Sequence, residues 1–231
     1  MRRVAFAALL ITIMNFQDRI EDIAGTLVQA DGSTPATDLV AFLNQALQDG
    51  CQDVARNIVA NNPYDKHLFV SRTTVSADTN LDESEEIISV ERDSSEVRAI
   101  PYSGRFGAVN PDSVEFATIN DPVYYVENGM LVIKPDYGTT SYIYSVPSYT
   151  VDVTLSVITD FPMKYYDHAI QYAAYKVLCR RETDLQDVMR TYTQTEEDIE
   201  LAQSASGQIQ LIQAQKQIVF ELYRNMIGTE K

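Results

Sequence analysis

Few residues in this chain could do chemistry by type. His67 and His168 are its only histidines, and Cys51 and Cys179 its only cysteines. A metal centre or a nucleophilic triad needs such side chains at recurring short spacing or beside a partner base. Neither histidine has a carboxylate or cysteine at a ligand spacing that forms a recognisable motif, so His168 reads as a packing or interface residue. Both cysteines fall among apolar neighbours in expected helices, which points to reduced core thiols rather than a disulfide framework. The chain has no Walker A pattern, no G-x-G-x-x-G and no G-x-S-x-G. Ser103-Gly104-Arg105-Phe106-Gly107 resembles a glycine loop only loosely and reads as a tight turn. Carboxylate pairs such as Glu85-Glu86 and Glu196-Glu197 are expected by chance among 33 acidic residues. No convergent site emerges. The chain is therefore read as non-enzymatic, with no catalytic, cofactor-binding or metal-ligating residue assigned and no cofactor expected.

Composition sets the class. The 231 residues are 45% hydrophobic and 22% charged, which is globular and long enough for a real core. Net charge is −15, from 33 acidic and 18 basic residues. A protein that grips phosphate needs clustered Lys and Arg, so such a balance argues against a nucleic-acid binder. It is compatible with DNA passing without adhering, and also with charge that serves solubility. Tyrosine is abundant at 14 and Trp is absent, which suits half-buried strands and interfaces.

The elements that must carry these residues follow from periodicity. Arg2-Arg3 precede an apolar run to Met14 that resembles a signal peptide, but no small-residue cleavage site follows. The run is too short to span a bilayer. Residues 1–14 read as a helix or extended apolar arm that packs on a partner subunit, with secretion as the lesser reading and Met14 as an alternative start codon. Phe16, Ile20, Ile23 and Leu27 make the stripe of a helix over residues 15–29. After a turn at 30–33, Thr34 and Pro35 are suited to start a second helix. Its buried face holds Leu39, Leu43, Ala46, Val54 and Ile58, and Asn61-Asn62-Pro63 ends it. Gly50 interrupts it at a cost of about 1 kcal/mol relative to Ala. A helical hairpin over 15–63 is expected.

Residues 64–160 read as β-rich. Strand candidates are 67–72, 86–91, 97–102, 114–119, 123–126, 130–134, 141–146 and 150–156. Asn128-Gly129 between two apolar runs is a hairpin signal, because a type I′ turn needs φ > 0 at both central residues. Residues 77–86 form an acidic loop. At Phe161-Pro162 the period becomes helical, through Tyr166, Ile170, Ala173 and Val177. A helix over 162–181 is expected, then a new one capped by Thr183 or Asp184, a break at 204–207, and a last helix over 208–226. The last helix carries Ile209, Ile212, Val219, Leu222, Tyr223 and Met226. It is crowded with Gln208, Gln210, Gln213, Gln215 and Gln217. Amide side chains can bond another chain without the desolvation cost of charge. Those six apolar residues are therefore the candidate interface, and an ordinary amphipathic core helix is the competing reading.

The fold class expected is α+β: a helical bundle from both chain ends, residues 15–63 and 161–231, with an antiparallel β-rich domain inserted at 64–160. Several stretches resemble a known family. They are Arg98-Ala99-Ile100-Pro101-Tyr102-Ser103-Gly104-Arg105-Phe106, then Phe116-Ala117-Thr118 with Asp121-Pro122-Val123-Tyr124-Tyr125-Val126. Leu131-Val132-Ile133-Lys134-Pro135 follows, and then Phe161-Pro162 with Ala169-Ile170-Gln171-Tyr172-Ala173-Ala174. Together they resemble the head-to-tail adaptor (connector, or neck) proteins of tailed bacteriophages, closest to structural proteins of marine and cyanobacterial phages. The apolar residues 1–14 depart from that pattern.

The resemblance implies a virion structural protein, assembled in the host cytoplasm and residing in the virion neck. It implies a homo-oligomeric ring, dodecameric, with a portal protein on one side and a tail or nozzle protein on the other. DNA would pass through the lumen without specific binding, and no membrane would be involved. A reading of another class is a β-rich tail or glycan-binding decoration protein, whose tyrosines would stack on sugars.

Overall fold

The computed structural model describes residues 14–25, 37–75, 79–80, 86–136, 140–191 and 196–228. The fold is α+β, and the chain divides into two compact units. One is helical and joins residues 1–63 to residues 149–231; the other, residues 64–148, interrupts it in sequence.

In the helical unit, α1 spans Phe16–Ala24 and α2 spans Thr37–Asn61. Then come α3, Tyr166–Thr191, and α4, Glu196–Gly228. Asn15 caps α1, its Oδ1 accepting from Asp18 N–H at 2.8 Å. Gly25, at φ 81°, closes the helix with its N–H on Glu21 O. The rest of the expected first helix, with the Thr34 cap and Pro35, lies outside the described residues. α3 is the common packing partner of α1, α2 and α4, so α1 and α2 each pack on α3 rather than on one another as the expected hairpin would have them. Its facing positions are mostly small or slender: Ala169, Ala173, Ala174 and Val177 are all fully buried. Gly50 sits where α2 crosses it, and a Cβ there would stand 2.7 Å from Ala169 O. Close approach of two helices explains a glycine that costs helix stability.

The helices run on where breaks were expected. Thr183 starts no new helix, because its Oγ1 bonds back to Cys179 O at 3.1 Å inside α3. The expected break at 204–207 lies inside the continuous α4, with Gly207 exposed and nothing near its missing Cβ.

Residues 149–160 belong to the helical unit, which corrects the inserted domain's end from 160 to 148. No strand forms at 150–156, because its backbone is engaged by helices instead. Phe16 N–H bonds Leu155 O and Gln17 N–H bonds Val153 O, both at 2.9 Å, satisfying two orphan donors at the start of α1. Asn44 Oδ1 takes Val153 N–H at 2.8 Å. Phe16, Phe161 and Tyr166 form a ring cluster beneath this segment, and the Tyr166 hydroxyl both accepts from Ile158 N and donates to Ile158 O.

In the second unit, one sheet has the order β1-β8-β3-β4, from β1 (Ser71–Val75), β8 (Ser141–Val146), β3 (Glu86–Arg92) and β4 (Ser95–Glu96). It is antiparallel throughout. The other sheet has the order β2-β7-β6-β5, from β2 (Thr79–Asn80), β7 (Met130–Lys134), β6 (Val123–Glu127) and β5 (Arg98–Ala99). It is mixed rather than antiparallel, because β5 runs parallel to β6. Asn128 at φ 50° and Gly129 at φ 76° make the turn between β6 and β7. The expected strand 97–102 shrinks to β5, and the expected strand from His67 begins only at Ser71, after a 3-10 turn over Lys66–Leu68. Residues 114–119 form no strand.

β7 is apolar without alternation because both of its faces are covered. Leu131 and Ile133 join Val75, Val90, Val97 and Ile143 in one core cluster. Val132 joins Val123, Tyr125, Ile100, Ala108 and Ala117 in another. The segment 100–121 folds back over that second face, tied by Ala117 N–H to Ala108 O at 3.0 Å. Its apolar residues Ala108 and Ala117 face inward without pairing in the ladder.

Candidate functional site

The residues able to do chemistry lie on three elements, a 3-10 turn, α2 and α3. His67 lies exposed on the 3-10 turn Lys66–Leu68, its Nδ1 2.9 Å from Tyr64 O. His168 is on α3 with its ring edge-on to Tyr165. Cys51 is a buried free thiol on α2, pushed up to about 12 by burial, and Cys179 is a half-buried free thiol on α3. Among the described residues, no group of three or more His, Cys, Asp or Glu could hold a metal ion. No described helix is long and apolar enough to cross a membrane.

The described surface also presents apolar side chains on α4 and on segment 100–121. On α4 the six candidate interface residues divide. Ile212, Val219 and Tyr223 are buried within the helical unit, Ile209 and Met226 are half-buried, and Leu222 is exposed. The buried stripe is fastened by polar groups. The Tyr223 hydroxyl donates to Asp53 of α2, and burial together with that carboxylate raises its pKa. Lys216 Nζ and Gln213 Nε2 both donate to Glu182 of α3, which holds the Glu182 carboxyl below its usual range. Gln215 Nε2 donates to Ile23 O of α1. Gln217 Nε2 donates to Glu221 Oε1 within α4 at 2.8 Å. Three of the five glutamines therefore bond within the unit.

A second apolar stripe on α4 is exposed: Leu211, Ile218 and Leu222, at 73%, 59% and 48%. Leu211 and Ile218 were not among the six residues read from the sequence. Their spacing with Leu222, i, i+7 and i+11, is a one-face signal that was present but masked by the stronger buried stripe.

In the second unit, the segment over β6 and β7 points large apolar side chains outward. Phe106 is 69% and Val114 99% exposed, and Tyr102, Val109 and Ile119 are exposed as well. The segment is built, not loose. The Arg105 guanidinium lies 3.8 Å from the Tyr102 ring centroid and 4.2 Å from that of Phe106. Its Nε is 3.8 Å from Glu127 Oε1, which also accepts from the Tyr102 hydroxyl at 3.0 Å. Gly104 and Gly107 stand where a Cβ would collide with Glu115. The glycines of this motif therefore admit a side chain rather than cradle a phosphate.

The tyrosines of the sheets are engaged internally. Tyr125 is buried and Tyr124 packs on the core cluster. Arg72 covers the Tyr142 ring at 3.6 Å, and the Tyr144 hydroxyl bonds Glu91 at 2.6 Å. In comparison with known proteins, no family model and no curated protein matches the chain.

Proposed function

We propose that the chain is a virion structural protein, a head-to-tail adaptor of a tailed bacteriophage. Its copies form a ring between portal and tail, the helical unit serving as ring body and the outward segment 102–119 meeting a tail or nozzle component. The observation that carries this reading is the architecture. Both chain ends close into one helical unit, and the β unit that interrupts it presents Phe106, Val109, Val114 and Ile119 to solvent. Exposed apolar side chains on a fixed scaffold suit docking to another protein. A net charge of −15 would let DNA slide through a lumen, since phosphate is repelled rather than gripped.

The glycan-binding alternative needs ring faces open to sugar, and Tyr125, Tyr142 and Tyr144 are instead buried, covered or bonded. That favours the adaptor.

The test is native mass measurement with negative-stain imaging of the purified chain, alone and with candidate portal proteins. Closed rings with a central channel are expected. A species that stays monomeric with every portal overturns the reading.

A further inference from the structure

Phe220 of α4 is set against the Tyr175 ring. The other exposed large apolar side chains among the described residues of the helical unit fall into two groups. One is the α4 stripe of Leu211, Ile218 and Leu222. The second is Leu155, Val157 and Met163, exposed at 54%, 58% and 71% on the segment that leads into α3.

Both groups sit on fixed backbone. Leu155 O receives Phe16 N–H at 2.9 Å, and Leu155 N–H bonds Asp152 O at 3.0 Å. Ile158 is held by the Tyr166 hydroxyl through both of its backbone groups. Phe161 is buried between the rings of Tyr149 and Tyr166. The stripe lies on an unbroken helix, with Gln215 at its edge bonded to Ile23 O of α1. Two groups fixed on one compact unit leave each other uncovered within a copy. In a second copy they are free to meet.

Their chemistry matches. The stripe is flanked by Ala214, Gln215 and Asn225, none of them charged. Between residues 155 and 163 the only charge is Asp160. The exposed segment of the β unit, by contrast, carries Arg105, Asp112 and Glu115. Packing an uncharged stripe on that segment would take charges out of water with no counter-charge in return. Area matches as well. Each group of three exposes roughly 300 Å² of apolar surface. Joined, and with a polar rim in the usual proportion, they bury about 1,000 Å², where specific contacts begin.

We propose that the α4 stripe of one copy packs on residues 155–163 of a second copy, head to tail. The two surfaces differ, so every copy added leaves one of each open. Such a contact repeats until it closes a ring or runs on as a filament. It deepens the adaptor reading, on which closure into a ring rests, and it leaves segment 102–119 to another partner.

The test is complementation, read by native mass measurement at concentrations where the unsubstituted chain assembles. One variant carries Leu211→Ser, Ile218→Ser and Leu222→Ser, and the other Leu155→Ser, Val157→Ser and Met163→Ser. Each alone is expected to stay monomeric with the circular dichroism of the unsubstituted chain. Their equimolar mixture is expected to form a dimer and nothing larger, because one intact pair of surfaces remains. Assembly of either variant as in the unsubstituted chain, or a mixture that stays monomeric, overturns the proposal. A second measurement keeps both surfaces otherwise intact. Photoreactive benzoylphenylalanine replaces Ile218 in a mixture of light and isotope-labelled copies. Adducts to residues 155–163 with mixed labels are expected; adducts to other segments, or labels that never mix, overturn the proposal. If the unsubstituted chain forms rings while these tests fail, the adaptor reading stands without this contact. Filaments joined through it would keep the contact and sink the ring, and a chain that never assembles sinks both.

Discussion

Gly50 of α2 lies directly against the backbone of Ala169 in α3: a Cβ on Gly50 would stand 2.7 Å from the Ala169 carbonyl oxygen. The obstacle is backbone at a helix crossing, so no side chain can rotate away. Alanine would gain about 1 kcal/mol of helix propensity. It would also force the two helices apart, and overpacking of this kind costs about 1–3 kcal/mol. Gly50→Ala should therefore be neutral to destabilising by about 2 kcal/mol, and Gly50→Val clearly worse. Urea unfolding monitored by circular dichroism measures it; stabilisation by Gly50→Ala would mean that the crossing is looser than described.

Gly207 is the opposite case. It lies in the interior of α4, exposed, with nothing within 4 Å of its missing Cβ. Gly207→Ala should stabilise the chain by about 0.5–1 kcal/mol, from helix propensity and a less free unfolded chain. The same unfolding experiment checks it. A loss of stability would restore the hinge that Ser204 and Gly207 suggest in sequence.

What could be read from the sequence, and what could not, follows from where each signal resides. Asn128-Gly129 is a local signal, and the φ values of 50° and 76° match it. The apolar runs of β7 and β8 were equally plain, since strand burial writes itself into composition. Residues 150–156 show the limit. Their alternation resembles a strand, but their carbonyls receive α1 and their Val153 N–H meets Asn44, partners distant in sequence. Thr183 misled because it can cap a helix start, and Gly207 because it can break one, whereas α3 and α4 run through them without interruption. On the candidate surface, Leu222 was legible and Phe106 lay in a quoted motif, but exposure of Leu211 and Ile218 depends on which face of α4 meets α3.

Glu182 ties α3 to α4 through Lys216 and Gln213, and the Lys216 and Gln213 hydrogen bonds depress its pKa. A carboxyl depressed in the folded state contributes stability above its unfolded value, about 4.3, that is lost as pH falls through the folded value. Glu182→Gln should cost roughly 1 kcal/mol at pH 7. The gap between the two proteins should narrow steadily below about pH 5 as the native carboxyl is protonated. Thermal unfolding from pH 7 to pH 3 measures it. A gap independent of pH would show that Glu182 acts through packing and not charge.

Tyr149 is fully enclosed, its ring edge-on to Phe161 with centroids 5.0 Å apart. Its hydroxyl is buried without a hydrogen-bond partner, and burial raises its pKa accordingly. Taking a hydroxyl out of water with no bond in return costs about 1–3 kcal/mol. The ring itself gives the packing, and phenylalanine keeps the ring. Tyr149→Phe should therefore hold or raise stability by up to about 1–2 kcal/mol, the reverse of the loss that most core substitutions bring. Tyr149→Ala, by contrast, should cost about 3–5 kcal/mol through the cavity it leaves. Urea midpoints of the three proteins at pH 7 decide between packing and polarity. If Tyr149→Phe loses more than about 1 kcal/mol, the hydroxyl has a bound water as partner.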